Sequence, residues 1–233
     1  NPPMKTRPLL CGKLLFLLLY LLPAIVSAQN EFRTDGMKIV LSREGRLSSI
    51  YDLARGVEYL APGTDSPLVR VSVNGEWESP AGADFSQMPD DSRAGELVLH
   101  FDESGVKLRI MTRTSGTHVR FEITRAEPAG KVDRVSWGPY GLDIQGTVGE
   151  IIGVARNSEF AAGLQVLNPK TLGGTPLNEE GSDPSRSATA VKTSFGCTLQ
   201  AWSMDRTKPR NIDVWWGQFP SMPVPPVEGE TVE

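Results

Sequence analysis

Histidine and cysteine are scarce in this sequence of 233 residues. It contains two histidines, His100 and His118, and two cysteines, Cys11 and Cys197. Neither a His-x-His nor a Cys-x-x-Cys spacing occurs, which excludes the ligand clusters of typical zinc sites. Gly173-Gly174 lacks the preceding strand and the following helix that a phosphate-binding loop needs. We therefore expect no metal ion and no other cofactor.

Long apolar runs are also rare, and the clearest one spans residues 14–22. It follows three basic residues and precedes Val26-Ser27-Ala28, which resembles a signal-peptidase cleavage site. Because the run is shorter than the roughly 20 residues of a membrane-spanning helix, we predict a helical signal peptide over residues 1–28, cleaved after Ala28. The mature chain is then exported to the periplasm, the cell surface or the medium, with no membrane span.

The mature chain also lacks an excess of positive charge. Removal of residues 1–28 takes away three basic residues and no acidic one, which leaves 21 Lys and Arg against 28 Asp and Glu, a net charge of −7. An acidic exported domain lacks the basic face that nucleic acid requires. Cys197 is then the single remaining cysteine, so no intrachain disulfide is possible, and we interpret it as a small buried side chain.

Strand patterns are abundant, and the clearest lies between residues 97 and 125. Apolar and polar side chains alternate there in three successive runs, which places each apolar set on one face of a strand. Ser104-Gly105 and Ser115-Gly116 separate the runs and suit tight hairpin turns. The segment therefore predicts a three-stranded antiparallel meander with one buried face, which needs a second layer to cover it.

Two-residue turns at both breaks would fix the register of this meander. Leu99 then lies opposite Ile110, and Ile110 lies opposite Phe121. On the other face Arg109 meets Glu122, a charge pair worth at most ~1 kcal/mol.

The rest of the chain shows short strand-like runs separated by Gly, Pro, Asn and Asp. They predict a hairpin of residues 37–41 and 47–51, a hairpin turn at Asn74-Gly75, a strand over Ile212–Phe219 and a loop over residues 79–93. Residues 147–155 also fit a capped helix, although two glycines there favour a strand.

About 205 residues suffice for one core. We predict an all-β, mostly antiparallel two-layer β-sandwich over residues 29–233. Because residues 1–3 precede a plausible start and residues 227–233 form no closing element, we expect a chain truncated at its C-terminus.

Acid–base catalysis has little support in this register. The two histidines lie on the polar face at least ~13 Å apart, at about 3.3 Å per residue, too far to act on one substrate atom. We interpret His100 and His118 as surface strand residues. Glu150 or Glu159 offers a lone carboxylate base, although most exposed acids on β-proteins are only solvated charges.

Aromatic and polar residues near predicted strand ends suggest contact with sugar. Sugars present flat C–H faces that stack on aromatic rings, while polar neighbours bind the hydroxyl groups. Our candidate carbohydrate-binding residues are Trp137, Tyr140, Arg156, Asn168 and Trp216. The competing interpretation for each Trp is packing in the core. We predict no catalytic residue among them.

Several motifs resemble the galactose-mutarotase-like β-sandwich domains of large exported bacterial glycoside hydrolases. The resemblance covers most of residues 36–233 and is carried by LSREGRLSSIYD (41–52), RGVEYL (55–60), VSWGPY (135–140), GEIIGV (149–154) and GLQVLNPKT (163–171). In that group the sandwich precedes a (β/α)-barrel, which implies that the catalytic carboxylates would lie in the barrel. The chain departs from stand-alone mutarotases, because no histidine pair is placed for ring opening.

The resemblance implies a non-catalytic N-terminal module of an enzyme that degrades polysaccharide. Its partners would be a polysaccharide or oligosaccharide and the downstream catalytic domain of the same chain. Two other functions stay open. One is a free-standing sugar epimerase or polysaccharide lyase on the same fold, which a histidine within hydrogen-bond reach of a carboxylate would favour. The other is a surface adhesion or assembly module that recognises protein through an exposed apolar patch.

Overall fold

A computed structural model describes residues 30–174, 188–212 and 222–233. These residues form nineteen strands and no helix, and every pairing between the strands is antiparallel. The all-β, antiparallel prediction is confirmed at this level. The predicted signal peptide lies outside the described residues, as does most of the strand predicted from Ile212 to Phe219.

The first sheet has the order β1-β2-β3-β4. Its strands are β1 (Asn30–Arg33), β2 (Met37–Leu41), β3 (Leu47–Asp52) and β4 (Val57–Glu58). The predicted hairpin between β2 and β3 is confirmed, and Gly45 supplies the positive φ of 76° that its turn requires.

The second sheet, in the order β10-β9-β8-β7, contains the predicted meander. Its strands are β7 (Gly82–Met88), β8 (Asp91–Phe101), β9 (Val106–Thr114) and β10 (Val119–Glu127). The buried face is confirmed, because alternate apolar side chains of β8 and β9 are at most 1% exposed.

The predicted register of the meander is wrong by two residues in both hairpins. Leu99 pairs with Leu108 instead of Ile110, and Ile110 pairs with Ile123 instead of Phe121. Each connection has four residues, 102–105 and 115–118, so each ladder shifts by an even number. An even shift preserves which side chains share a face, and the apolar sets therefore remain together.

The loop predicted over residues 79–93 is also wrong, since β7 and the start of β8 occupy most of it. Phe85 explains the difference, because its ring packs edge-on against Phe32 at 5.3 Å between centroids. Asp84, Ser86 and Gln87 are exposed beside it, so the polar composition reflects the solvent side of an edge strand.

The third sheet contains two of the candidate carbohydrate-binding residues, Trp137 and Tyr140. Its order is β15-β17-β11-β5-β6, with β16 also paired to β17. Its strands are β5 (Val69–Val73), β6 (Glu76–Glu78), β11 (Arg134–Leu142), β15 (Leu172–Gly173), β16 (Ala190–Thr193) and β17 (Gly196–Met204). The predicted Asn74-Gly75 turn is confirmed, with φ of 53° and 86°.

Two small sheets complete the described structure. One contains β12 (Thr147–Gly149), β13 (Val154–Arg156) and β14 (Ala161–Gly163), and the other contains β18 (Arg210–Ile212) and β19 (Met222–Val224). Neither a helix nor a continuous strand occupies residues 147–155, because a turn separates β12 from β13. Ile151 and Ile152 lie in this turn and are 90% and 73% exposed.

One hydrophobic core joins the four larger sheets. It includes Leu41 from the first sheet, Leu108 from the second, Val135 from the third and Ala155 from the β12–β14 sheet, each fully buried. Four of the five sheets thus contribute to one core. Residues from the same four sheets also line a cleft.

Candidate functional site

A cleft of about 1540 Å³ lies between segments that are distant in the chain. Its walls come from residues 34–39, the turn and strand over 116–123, strands β11 and β17, and the segment 160–171. Most of the side chains that line it are apolar. A mainly apolar cavity of this size is a candidate for a ligand site.

Aromatic rings form part of the wall. Trp137 is half-buried in β11, and its ring centroid lies 6.5 Å from that of Phe121 in β10. Phe160 also lines the cleft and stacks on Tyr59, with centroids 4.3 Å apart and planes within 7°. Phe160 is not predictable as a cleft residue from the sequence, since no motif marks it. The one feature of the sequence that could indicate a role for Phe160 is its position directly after the Asn157-Ser158-Glu159 turn.

Tyr140 lines the cleft with its ring but not with a free hydroxyl group. Its phenol donates a 2.6 Å hydrogen bond to the carbonyl oxygen of Leu68 and is buried. Burial raises the pKa of the Tyr140 phenol far above its usual value, because the anion would lose its hydration. Any contribution of Tyr140 to ligand contact therefore comes from its ring.

Asn168 lies exposed at the rim and organises the loop that follows it. Its side-chain oxygen accepts the backbone N–H of Lys170 at 3.0 Å and that of Thr171 at 2.9 Å. Lys170 in turn donates to the carbonyl oxygens of Thr231 and Glu233. This loop is thereby held against the end of the described chain.

The structure brings together three of the five candidate sugar-binding residues. Trp137, Tyr140 and Asn168 line the cleft. Arg156 lies exposed in β13 and is not part of the lining. Trp216 lies outside the described residues.

Two arginines that line the cleft are paired with carboxylates. Arg55 lies 3.4 Å from a carboxylate oxygen of Asp52 and 3.9 Å from one of Glu159. Arg120 lies 2.8 Å from a carboxylate oxygen of Glu122. Because these guanidinium groups already have carboxylate partners, the rim favours an uncharged ligand over an anionic one.

The two histidines belong to different cavities. His118 lines the cleft, and its Nδ1 lies 2.8 Å from the hydroxyl of Ser115. His100 lines a separate hollow of about 610 Å³, where its Nε2 lies 2.8 Å from a carboxylate oxygen of Asp84. Arg43 and Asp102 line the same hollow. A histidine therefore does contact a carboxylate, although Asp84 is 83% exposed.

Neither a metal-binding cluster nor a membrane-spanning helix occurs in the part of the chain that the structure describes. Within residues 30–174, 188–212 and 222–233, no three His, Cys, Asp or Glu side chains are grouped to hold a metal ion. Those residues also contain no helix of the length and apolarity that crossing a membrane requires. Cys197 is buried as interpreted, and burial raises the pKa of its thiol to about 11.

No model of a protein family matches the chain, and no curated protein sequence matches it.

Proposed function

We propose that this chain is the non-catalytic N-terminal module of an exported carbohydrate-active enzyme that resembles glycoside hydrolases. The module supports a downstream catalytic barrel and contacts glycan in the cleft. The observation that carries the proposal is the meeting of Trp137, Phe160 and Asn168 around one cavity.

The chemistry of the cleft suits a neutral sugar. Trp137 and Phe160 offer apolar ring faces, on which the C–H face of a pyranose ring can stack. The exposed rim offers hydroxyl, amide and paired ionic groups as hydrogen-bond partners for sugar hydroxyls. Pockets of this kind combine apolar walls with a few polar groups that fix the orientation of the ligand.

We also propose that the sheets form the two-layer supersandwich of galactose-mutarotase-like domains. Support comes from the shared core of the second and third sheets and from the contact between Phe121 and Trp137. A ring of four blade-like sheets around the same core is the alternative arrangement. An experimental structure discriminates the two, because layers of a sandwich face each other about 10 Å apart, whereas blades radiate from a central axis.

Titration calorimetry against a panel of neutral oligosaccharides tests the glycan proposal. We expect at least one to bind, and Trp137→Ala to weaken its binding by about tenfold, since an aromatic stacking contact is worth roughly 1 kcal/mol or more. Trp77→Ala is the matched control, because Trp77 is also half-buried but stacks under Arg70 outside the cleft. Equal losses in the two variants, or no binding by the wild type, would refute glycan contact at Trp137.

A second candidate function is a sugar epimerase or polysaccharide lyase centred on the contact between His100 and Asp84. A histidine held by a carboxylate is a recognised general base. In that case the purified chain would epimerise a sugar or release unsaturated oligosaccharides, and His100→Ala would abolish turnover. Turnover abolished by a single Glu→Gln change, at Glu150 or Glu159 for instance, would equally refute a non-catalytic module.

A further inference from the structure

Strand β10 is the outer strand of its sheet, and its free edge faces the cleft. In the described residues β10 pairs with β9 and with no other strand. Every residue from Gly116 to Ile123 lines the cleft. Side chains from both faces of β10 can line one cavity only where the edge of the strand borders that cavity. An open strand edge presents main-chain donors and acceptors in the spacing that another extended strand matches.

The ladder identifies which main-chain groups point outward. The N–H of Ser115 donates to the carbonyl oxygen of His118 in the turn. Because hydrogen-bonded pairs alternate along an antiparallel ladder, Arg120 and Glu122 bond inward to β9. The N–H and C=O groups of Val119, Phe121 and Ile123 therefore point outward.

The same alternation explains the end of this edge. After the bulge between Ile123 and Arg125, the N–H of Ala126 points outward, and it donates a 2.9 Å hydrogen bond to the side chain of Glu233. Glu233 thus closes one end of the edge and leaves residues 119–123 open in the part of the chain that the structure describes.

The open segment has a self-complementary sequence. In an antiparallel pairing of two copies centred on Phe121, Val119 of each copy lies opposite Ile123 of the other. Arg120, which lies 2.8 Å from Glu122 of its own strand, then also lies opposite Glu122 of the other copy, so opposite charges face each other on each side of the centre. The outward main-chain groups of residues 119, 121 and 123 then face each other as hydrogen-bonded pairs. Arg120 and Glu122 fall at non-hydrogen-bonded positions, where facing side chains lie closest.

We propose that β10 is the dimerisation surface of this chain, with two copies joined antiparallel along its outer edge about a twofold axis at Phe121. A twofold axis allows one patch to serve on both subunits. The proposal goes beyond the glycan module and rests on the open edge and the charge order of residues 119–123. Because these residues also line the cleft, a second copy paired there would compete with glycan for this wall.

Sedimentation velocity of the purified chain over a range of concentrations tests the proposal. The wild type should form a concentration-dependent dimer. Arg120→Glu and Glu122→Arg should each weaken the dimer by at least about tenfold, because each places like charges opposite one another twice. The double swap, R120E with E122R, restores opposite charges and should restore the dimer.

Arg93→Glu is the matched control. It reverses the same charge as Arg120→Glu, at an exposed position on β8 in the same sheet. All three positions changed in these variants are exposed, and thermal melts monitor folding. A monomer at every concentration would overturn the proposal. A dimer that survives both single reversals, or one that the double swap fails to restore, would also overturn it.

Discussion

At the scale of single residues, Gly95 shows how one missing side chain permits a local packing arrangement. Gly95 lies in β8, next to the edge strand that carries Phe85. A methyl group at this position would overlap the Phe85 ring and lie 2.9 Å from the carbonyl oxygen of Ser86. The glycine therefore makes room for the ring that packs against Phe32.

We predict that Gly95→Ala lowers the free energy of unfolding by about 1–3 kcal/mol, the usual cost of overpacking. Urea denaturation measures the change. Gly36→Ala is the control, because a methyl group there would meet no atom within 4 Å, and its effect should stay within about 0.5 kcal/mol. Equal effects at both glycines would contradict the proposed clash with Phe85.

Individual site residues were only partly predictable from sequence. Trp137 and Asn168 both line the cleft, although Trp137 lies inside β11 and not at the predicted strand end. Phe160 was not predictable, since its role depends on stacking against Tyr59, which is about a hundred residues away in sequence. The hydrogen bond of Tyr140 was not predictable either, because nothing in the local sequence indicates the carbonyl oxygen of Leu68 as its acceptor.

At the scale of elements, a charge network ties the three strands of the meander together. Arg109 of β9 lies 3.1 Å from Glu96 of β8 and 3.1 Å from Glu127 of β10. The predicted partner, Glu122, instead contacts Arg120 on its own strand. The bulge between Ile123 and Arg125 brings Glu127 to Arg109.

The hydrogen bond from Arg109 lowers the pKa of Glu127 below that of an ordinary carboxyl group. A lowered pKa in the folded state means that Glu127 stabilises the fold above its unfolded-state pKa. This contribution is lost as the pH falls through the folded-state value. We predict that the stability difference between wild type and Glu127→Gln is largest at neutral pH and shrinks on acidification below about pH 4.

Urea denaturation at a series of pH values measures this difference. In an Arg109→Gln background the Glu127→Gln change should show a much weaker pH dependence, because the main cause of the shifted pKa is gone. Parallel stability curves for wild type and Glu127→Gln at all pH values would contradict the assigned role of Arg109.

The elements also show where a sequence pattern stops being informative. Period-two alternation predicted the buried face of β8 and β9, because burial depends only on parity. It did not predict loop length, since Ser104-Gly105 fits both a two-residue turn and the end of a four-residue one. Nor did it predict that Ile151 and Ile152 lie in an exposed turn, because short apolar runs resemble buried strands.

At the scale of the whole molecule, the cleft is a product of long-range packing. Its walls combine residues 34–39, 116–123 and 160–171 with strands of the third sheet. Local patterns indicate individual strands, but the packing of the sheets determines which of their side chains line the cleft. The glycan proposal therefore concerns a surface that exists only in the folded chain.

Hydrogen–deuterium exchange, read by mass spectrometry with and without the best-binding neutral oligosaccharide, tests glycan binding in the cleft most directly. Ligand bound there should slow amide exchange in residues 160–171, while the exposed Asn74-Gly75 turn, which does not line the cleft, should be unaffected. Unchanged exchange throughout the chain, or slowing confined to the hollow around His100 and Asp84, would contradict a glycan site in the cleft.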